Sequence, residues 1–288
     1  MDFEPGLRTY LPSIESALDG FLPAEGESPQ PLTDAMRYSV LGGGKRLRPA
    51  LVLAACEACN GSASDAMAAA CAIEIVHCFS LIHDDLPCID NDDVRRGRPT
   101  CHIVFGEAVA LLAGDALFAL AFELVAGSKA GAPGVVELAR GTGWSGVVGG
   151  ETLDILNERA APDPRLLAEI HRKKTGALFA TAAVLGGLCA GAPQAEIEAL
   201  RRYGFALGQA FQIADDILDE TSTQEAMGKP VGNDKDSLKM TYPRVFGLER
   251  SRHLAEEAVT EAVDTLKSLH GDTSFLEAAA RYAMARQA

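Results

Sequence analysis

Two acidic clusters, Asp84-Asp85-Leu86-Pro87-Cys88-Ile89-Asp90 and Asp215-Asp216-Ile217-Leu218-Asp219, lie about 130 residues apart and hold six carboxylates between them. Each closes a long apolar stretch with helical character, so the charge falls where a folded chain would otherwise bury core residues. Carboxylates crowded there repel one another unless a cation neutralises them. Oxygen donors alone suit a hard ion, and Mg²⁺ combines a few carboxylates with waters and substrate phosphates. The chemistry expected is a two-walled cavity in which Mg²⁺ bridges the protein to a diphosphate. The plainer reading is two solvated, Asp-rich helix ends. Asp is a poor helix former and is disfavoured at the negative end of the helix dipole, which argues against that reading.

Helical spacing sharpens the pattern. Asp215 and Asp219 are four apart and stack on one face, with Gln212 three before Asp215 on the same stripe and Asp216 about a quarter-turn aside. His77 lies seven before Asp84 and shares its face, whereas Asp90 must be brought back by the turn at Pro87. Cationic groups complement the acids. Gly42-Gly43-Gly44-Lys45-Arg46-Leu47-Arg48-Pro49 joins a flexible loop to a helix start, where backbone amides favour an anion. Arg95-Arg96-Gly97-Arg98 follows the first acidic cluster, Lys173-Lys174-Thr175 sits mid-helix, and Lys229 and Lys239 flank a polar loop. Any one of these reads equally well as surface decoration. Together, in an acidic protein, they read as anion sites.

The elements that must position these groups are helices. The 288 residues are 48% apolar but only 6% aromatic, a composition that suits close packing on Ala and Leu. Thr33 caps a short helix that stops at the Gly42–Gly44 run, and further helices are expected over about 48–59 and from Ser62 or Ser64 to about 86. Others follow over 107–126, from the Gly and Pro at 131–134 to Glu158, from the Asp163-Pro164 start to 190, and over 194–220. Two more are expected at 242–269 and from a Ser274-x-x-Glu277 capping box onward. No useful strand alternation, repeat or domain-splitting linker is visible, so residues 1–288 read as one all-α domain. The net charge of −14, from 26 basic and 40 acidic residues, argues against nucleic-acid binding. Seven Cys, mostly in apolar helical stretches, suggest reduced thiols and a cytoplasmic protein, and Cys56-x-x-Cys59 has no second pair that would make a metal site. No signal peptide or membrane span is read.

From Gly-Lys-Arg-Leu-Arg-Pro at 44–49 to Lys-Met-Thr-Tyr-Pro at 239–243, the chain resembles the trans-isoprenyl diphosphate synthases (polyprenyl synthetases), specifically the bacterial farnesyl diphosphate synthase type. The most specific segments are Ser80-Leu81-Ile82-His83-Asp84-Asp85 through Arg98-Pro99-Thr100, and Phe211-Gln212-Ile213-Ala214-Asp215-Asp216-Ile217-Leu218-Asp219. The resemblance implies an isoprenoid synthase helical bundle around a central cavity. It implies two Mg²⁺ ions on Asp84, Asp85 and Asp90 and a third on Asp215, with Asp216 and Asp219 nearby and Mn²⁺ as a substitute. Lys45, Arg48, His77 and Arg96 would bind the diphosphate of isopentenyl diphosphate. Arg95, Lys174, Lys229 and Lys239 would bind the allylic diphosphate, and Thr175 and Gln212 would face the reacting carbons. Homodimerisation is also implied.

Product length is expected to depend on bulk one turn or so before Asp84. Phe79, beside the smaller Cys78 and Ser80, and the Pro87-Cys88 insertion resemble farnesyl-type enzymes, with geranylgeranyl or geranyl synthesis as the alternative. Glu151 stands where Gln is commoner in the family, and Asn233 where Lys is commoner. His83, His102, His171, His253 and His270 need no special role. A class I terpene cyclase would share the fold but not need Lys45, Arg48 and Arg96, and a non-catalytic subunit should have lost an acidic motif.

Overall fold

Alanine-rich runs punctuated by Gly, Pro and Asp make helix the dominant state of this chain, and a computed structural model describes residues 2–221 and 239–285. The helices are α1 (Phe3–Phe21), α2 (Gln30–Val40), α3 (Leu47–Ala58), α4 (Ala63–Asp84), α5 (Cys101–Phe105), α6 (Glu107–Gly127), α7 (Gly131–Thr142) and α8 (Val147–Leu156). They continue with α9 (Pro164–His171), α10 (Ala177–Ala190), α11 (Gln194–Thr221), α12 (Tyr242–Phe246), α13 (Leu248–Leu266) and α14 (Ser274–Ala285). A hairpin of two short strands, β1 (Val94–Arg95) and β2 (Arg98–Pro99), follows the first acidic turn. Its central residues, Arg96 and Gly97, both have positive φ, as a tight type I′ turn requires.

Helix α4, which ends at Asp84, and helix α10 are apolar almost all round, which places them in the middle of the bundle. In α4 the buried residues include Ala69, Ile73, Val76 and Ile82, and α10 is buried from Ala177 through Gly187. The broadest packings join α4 with α6, α10 with α3 and α11, and α11 with α13. Glycines permit the closest of these. A Cβ on Gly186 would lie 2.3 Å from the Val52 carbonyl oxygen on α3, and one on Gly204 2.4 Å from the Ala180 Cα.

Several boundaries differ from the sequence expectation, each for a local reason. The stretch from 134 to 158 is two helices, because Gly146 adopts a non-helical backbone between α7 and α8. The 164–190 helix begins at the Asp163 cap as expected, but it passes through one π-helical turn, Arg172–Gly176, between α9 and α10. The 242–269 helix is interrupted at Gly247, whose φ is +79°. At the last helix the capping contacts come from Asp272 and Thr273 instead of Ser274. Helix α2 starts three residues before Thr33, which hydrogen-bonds back to Gln30 and Glu27. Helix α1 has no counterpart in the sequence reading, since Pro12 and Gly20 within it obscure its pattern.

Contrary to the expectation of no membrane-span candidate, α4 and α6 are each long and apolar enough to cross a membrane by length and composition. Helix α4 meets that test as a core helix. Helix α6 meets it with an exposed apolar stripe that includes Leu111 and Leu112.

The glycine contacts give a direct check. Gly186→Ala should lower unfolding stability by about 1–3 kcal/mol through overpacking against α3. Gly20→Ala, where an added Cβ meets nothing within 4 Å, should be neutral or raise stability by about 0.5–1 kcal/mol. Urea denaturation of both variants measures the contrast.

Candidate active site

The first acidic cluster forms where α4 ends. The Asp90 amide donates to the Asp84 carbonyl (2.9 Å), so the turn at Pro87 does bring Asp90 back over the helix end. Burial pushes the Asp84 carboxyl up to about 7; the Glu151 and Asp90 charges add to that, and Lys174 and Arg95 oppose it. Asp85 turns away to the hairpin. It accepts a hydrogen bond from Arg95 Nε at 2.6 Å, and Arg95 also reaches Asp92 at 3.3 Å. Burial raises the Asp85 carboxyl to about 6 against the pull of Arg95. Arg95 is therefore held by carboxylates of its own segment, a partnership that the sequence spacing did not disclose.

Across from α4, the π turn and α8 present a second layer of charge. Lys174 Nζ donates to Asp154 Oδ2 at 2.6 Å and lies 2.8 Å from Glu151 Oε2. Burial works against the Lys174 charge, but the two carboxylates outweigh it and raise its pKa. Lys239 reaches Asp90 at 3.3 Å and Asp154 at 3.9 Å, so Asp90, Lys239, Asp154, Lys174 and Glu151 form a chain of alternating sign. Gly150 makes the approach possible, since a Cβ there would lie 2.2 Å from the Lys174 backbone nitrogen.

Next along the π turn, Thr175 Oγ1 donates to Gln212 Oε1 at 2.6 Å. Gln212 Nε2 donates to Asp216 Oδ1 at 2.8 Å, and the Tyr242 amide donates to Asp216 Oδ2 at 2.9 Å. Asp216 thus ties α11 to the start of α12 and orients Gln212. Asp215 and Asp219 are half-buried on the same helix.

The Gly42–Arg48 turn meets the hairpin. Arg96 donates to the Gly43 carbonyl, Arg98 stacks over Tyr38 at 4.2 Å, and Tyr38 donates to the Pro99 carbonyl at 2.8 Å. Arg48 lies 4.5 Å over the Phe179 ring, and Lys45 is exposed. Burial, then the charges of Arg48, Arg96, Arg95 and Arg46, hold His77 well below its usual pKa, and hence neutral. Phe79 is buried against Phe118 and His83, each ring 4.8 Å away, while Ser80 is half-buried and donates to the His77 carbonyl.

The donor set fits a hard cation. Asp84 carries a carboxylate whose charge the protein leaves incompletely balanced, and Glu151 Oε1 is buried with no hydrogen-bond partner among the described residues. No three His, Cys, Asp or Glu side chains among the described residues form a ready-made cage. That suits an ion whose remaining ligands come from water and substrate phosphate. Lys229 and Asn233 lie outside the described residues.

Residues 29–274 match the polyprenyl synthetase family. The chain belongs to that family. Among its relatives, geranylgeranyl pyrophosphate synthase 3 of Arabidopsis thaliana is 48% identical over 92% of this chain and 76% of its own. The large subunit of a heterodimeric geranylgeranyl pyrophosphate synthase from the same plant is 45% identical over 99% of this chain and 80% of its own. An apo crystal structure of a farnesyl/geranylfarnesyl diphosphate synthase from Zymomonas mobilis superposes with a TM-score of 0.83 at 36% identity, covering 96% of this chain and 98% of that one. This polyprenyl synthetase is accordingly an all-α prenyltransferase.

Sequence reasoning missed two supports of the site. Asp154 was legible only as the end of the Gly-Gly-Glu-Thr-Leu-Asp run, and His171, given no role, is buried with its ring 5.3 Å from Tyr242. Burial lowers the His171 pKa to about 4, the Asp154 charge opposing and Lys174 assisting. The folded protein keeps this ring neutral while the unfolded chain binds a proton below about pH 6.5. His171 should therefore contribute a loss of roughly 3 kcal/mol as pH drops from 6.5 to 4, opposed by Asp84 and Asp85, whose raised pKa values favour the folded state over the same range. His171→Phe should remove that contribution, so the variant gains stability relative to the parent protein as pH falls from 6.5 to 4 in urea denaturation.

Proposed function

We propose that this polyprenyl synthetase joins isopentenyl diphosphate head-to-tail to allylic diphosphates and stops at geranylgeranyl diphosphate. The reaction class follows from the family. The ion-pair chain of Asp90, Lys239, Asp154 and Lys174, with Asp84 in its electrostatic reach, supports the placement of the allylic diphosphate there. In the condensation, the allylic carbon–oxygen bond breaks and its electron pair leaves with diphosphate. The alkene of isopentenyl diphosphate then supplies the electron pair of the new carbon–carbon bond, and the proton lost passes to the departing diphosphate.

Asp84 and Asp90 on one wall and Asp215 and Asp219 on the other would hold Mg²⁺, with Mn²⁺ as substitute, and the bound ion would supply charge that stabilises a departing diphosphate. Asp85 and Asp216 serve as supports, holding Arg95 and Gln212. Lys174 and Lys239, kept protonated by carboxylates, exchange part of that pairing for diphosphate oxygens. Thr175 donates a hydrogen bond to the Gln212 amide oxygen, which leaves the lone pairs of the Thr175 hydroxyl oxygen to face a developing carbocation. Lys45, Arg48 and Arg96, with neutral His77, take the second diphosphate.

The twenty-carbon product is favoured by the names of the relatives and by the α4 geometry. Ser80, four before Asp84, is the small residue on the Asp84 face, whereas Phe79 packs into the α4–α6 interface. A fifteen-carbon product is favoured by Phe79 itself, if that ring closes the cavity. Incubation with Mg²⁺, isopentenyl diphosphate and farnesyl diphosphate separates the two. The expected result is extension to twenty carbons, with Phe79→Ala changing the profile little. Accumulation of farnesyl diphosphate, released to longer products by Phe79→Ala, would establish the second reading.

The same reading includes a homodimer in the cytoplasm. No two Cys are bridged, and six of the seven are buried, which suits a reducing compartment. Helix α6 exposes Leu111 and Leu112, and the α7–α8 region exposes Trp144 and Leu156. Such apolar surface marks a contact face. Sedimentation should give a dimer, and Leu112→Glu a monomer; an unchanged mass for the variant would remove α6 from the interface.

A further inference from the structure

We propose that Arg46 is a positioning residue, held by the carboxylates Glu15 and Glu74, that sets the Gly42–Arg48 turn for the homoallylic diphosphate. The inference rests on the reading in which Lys45, Arg48, His77 and Arg96 bind that group. It assigns a task to the one cation of the Lys45-Arg46-Leu47-Arg48 run that does not face the anion.

The guanidinium of Arg46 is fully buried. Its Nε donates to Glu15 Oε1 at 2.8 Å, Nη1 to Glu74 Oε1 at 2.7 Å, and Nη2 to both the Val40 carbonyl at 2.8 Å and Glu15 Oε2 at 3.2 Å. All three nitrogens are engaged inside the protein, so none is left to bind substrate. The backbone of Arg46 is left-handed, with φ of +51°, and it stands at the N-cap of α3. Few non-glycine residues adopt that conformation unless surrounding contacts hold it, and here the fork of hydrogen bonds does so. The kink separates the buried Arg46 from exposed Lys45 before it and from Arg48, two residues on, over the Phe179 ring.

The turn is gripped from its other side as well. Arg96 donates to the Gly43 carbonyl, and a Cβ on Gly44 would lie 2.8 Å from Arg96 Nη1. The three glycines and Arg46 therefore fix one path for the backbone between α2 and α3. Glu74 ties that path to α4 three residues before His77, and Glu15 ties it to α1. Helix α1 thereby gains a part in substrate binding although it carries none of the substrate-facing residues. The two carboxylates also more than offset the single Arg46 charge, which keeps a bare guanidinium out of the interior. Lysine has no planar fork and cannot reproduce the arrangement.

Steady-state kinetics of the full chain with Mg²⁺ test this. Glu15→Gln, at a residue with 44% side-chain exposure, removes one charge with little change of shape. It should raise the KM for isopentenyl diphosphate about tenfold and leave the allylic KM within about twofold. Arg46→Lys should give the same split, and calorimetric titration of isopentenyl diphosphate should show the same loss of affinity. If both KM values rise together, or neither moves in Glu15→Gln, Arg46 only stabilises the fold and the proposal fails. Lys45→Ala serves as the control for the underlying reading. If Lys45→Ala leaves the KM for isopentenyl diphosphate unchanged, the anion site itself is misassigned, an outcome distinct from failure of Glu15→Gln alone. Should Arg46→Lys not fold, Glu15→Gln decides the matter.

Discussion

Lys174 lies between Asp154 and Glu151, and through Asp154 it connects to Lys239 and Asp90. Charges of both signs are thereby kept inside a helical bundle whose core is built largely from Ala, Leu, Ile and Val. A carboxylate buried alone gives up its charge, as the raised pKa of Asp84 illustrates, and a lysine buried alone would do the same. Alternation of sign lets the network stay ionised without substrate, while Asp84 remains under-neutralised and so disposed toward a cation. The surrounding fold is arranged to make that alternation possible.

Its geometry rests on backbone detail at three places. The π turn at Arg172–Gly176 inserts into the path from α9 to α10 and presents Lys174 and Thr175 to two different partners, α8 and α11. Single π turns of this kind recur at functional sites because they turn side chains out of register with the regular helix. Gly150 lets α8 approach that turn, and the left-handed Arg46 sets the path of the backbone from the Gly42–Gly44 run into α3. Each is a position where one backbone conformation was selected over the propensity of the residues.

Much of this was legible from residue types and spacing. The Asp163-Pro164 start, the apolar runs of α4 and α10, the 107–126 helix and the return of Asp90 at Pro87 follow from local rules, because caps, proline and helical periodicity act within a few residues. Local rules failed where a break has only glycine to mark it, as at Gly146 and Gly247, or where proline lies inside a helix, as in α1. They also failed on partnership. Asp85 and Asp216 look like their neighbours in sequence, yet one holds Arg95 and the other joins Gln212 to the Tyr242 amide.

The sequence by itself therefore determined the fold class, the family and the set of charged groups available for diphosphate chemistry. These depend on composition, periodicity and motif, all readable along one dimension. Which carboxylate pairs with a lysine of the charge network and which with Arg95, Gln212 or a backbone amide was decided by the tertiary structure. So were the neutral state of His77, the burial of His171 and the inward turn of Arg46. Burial and pairing depend on residues distant in the chain, such as Glu15 for Arg46 and Asp154 for Lys174, and those meet only when the helices pack.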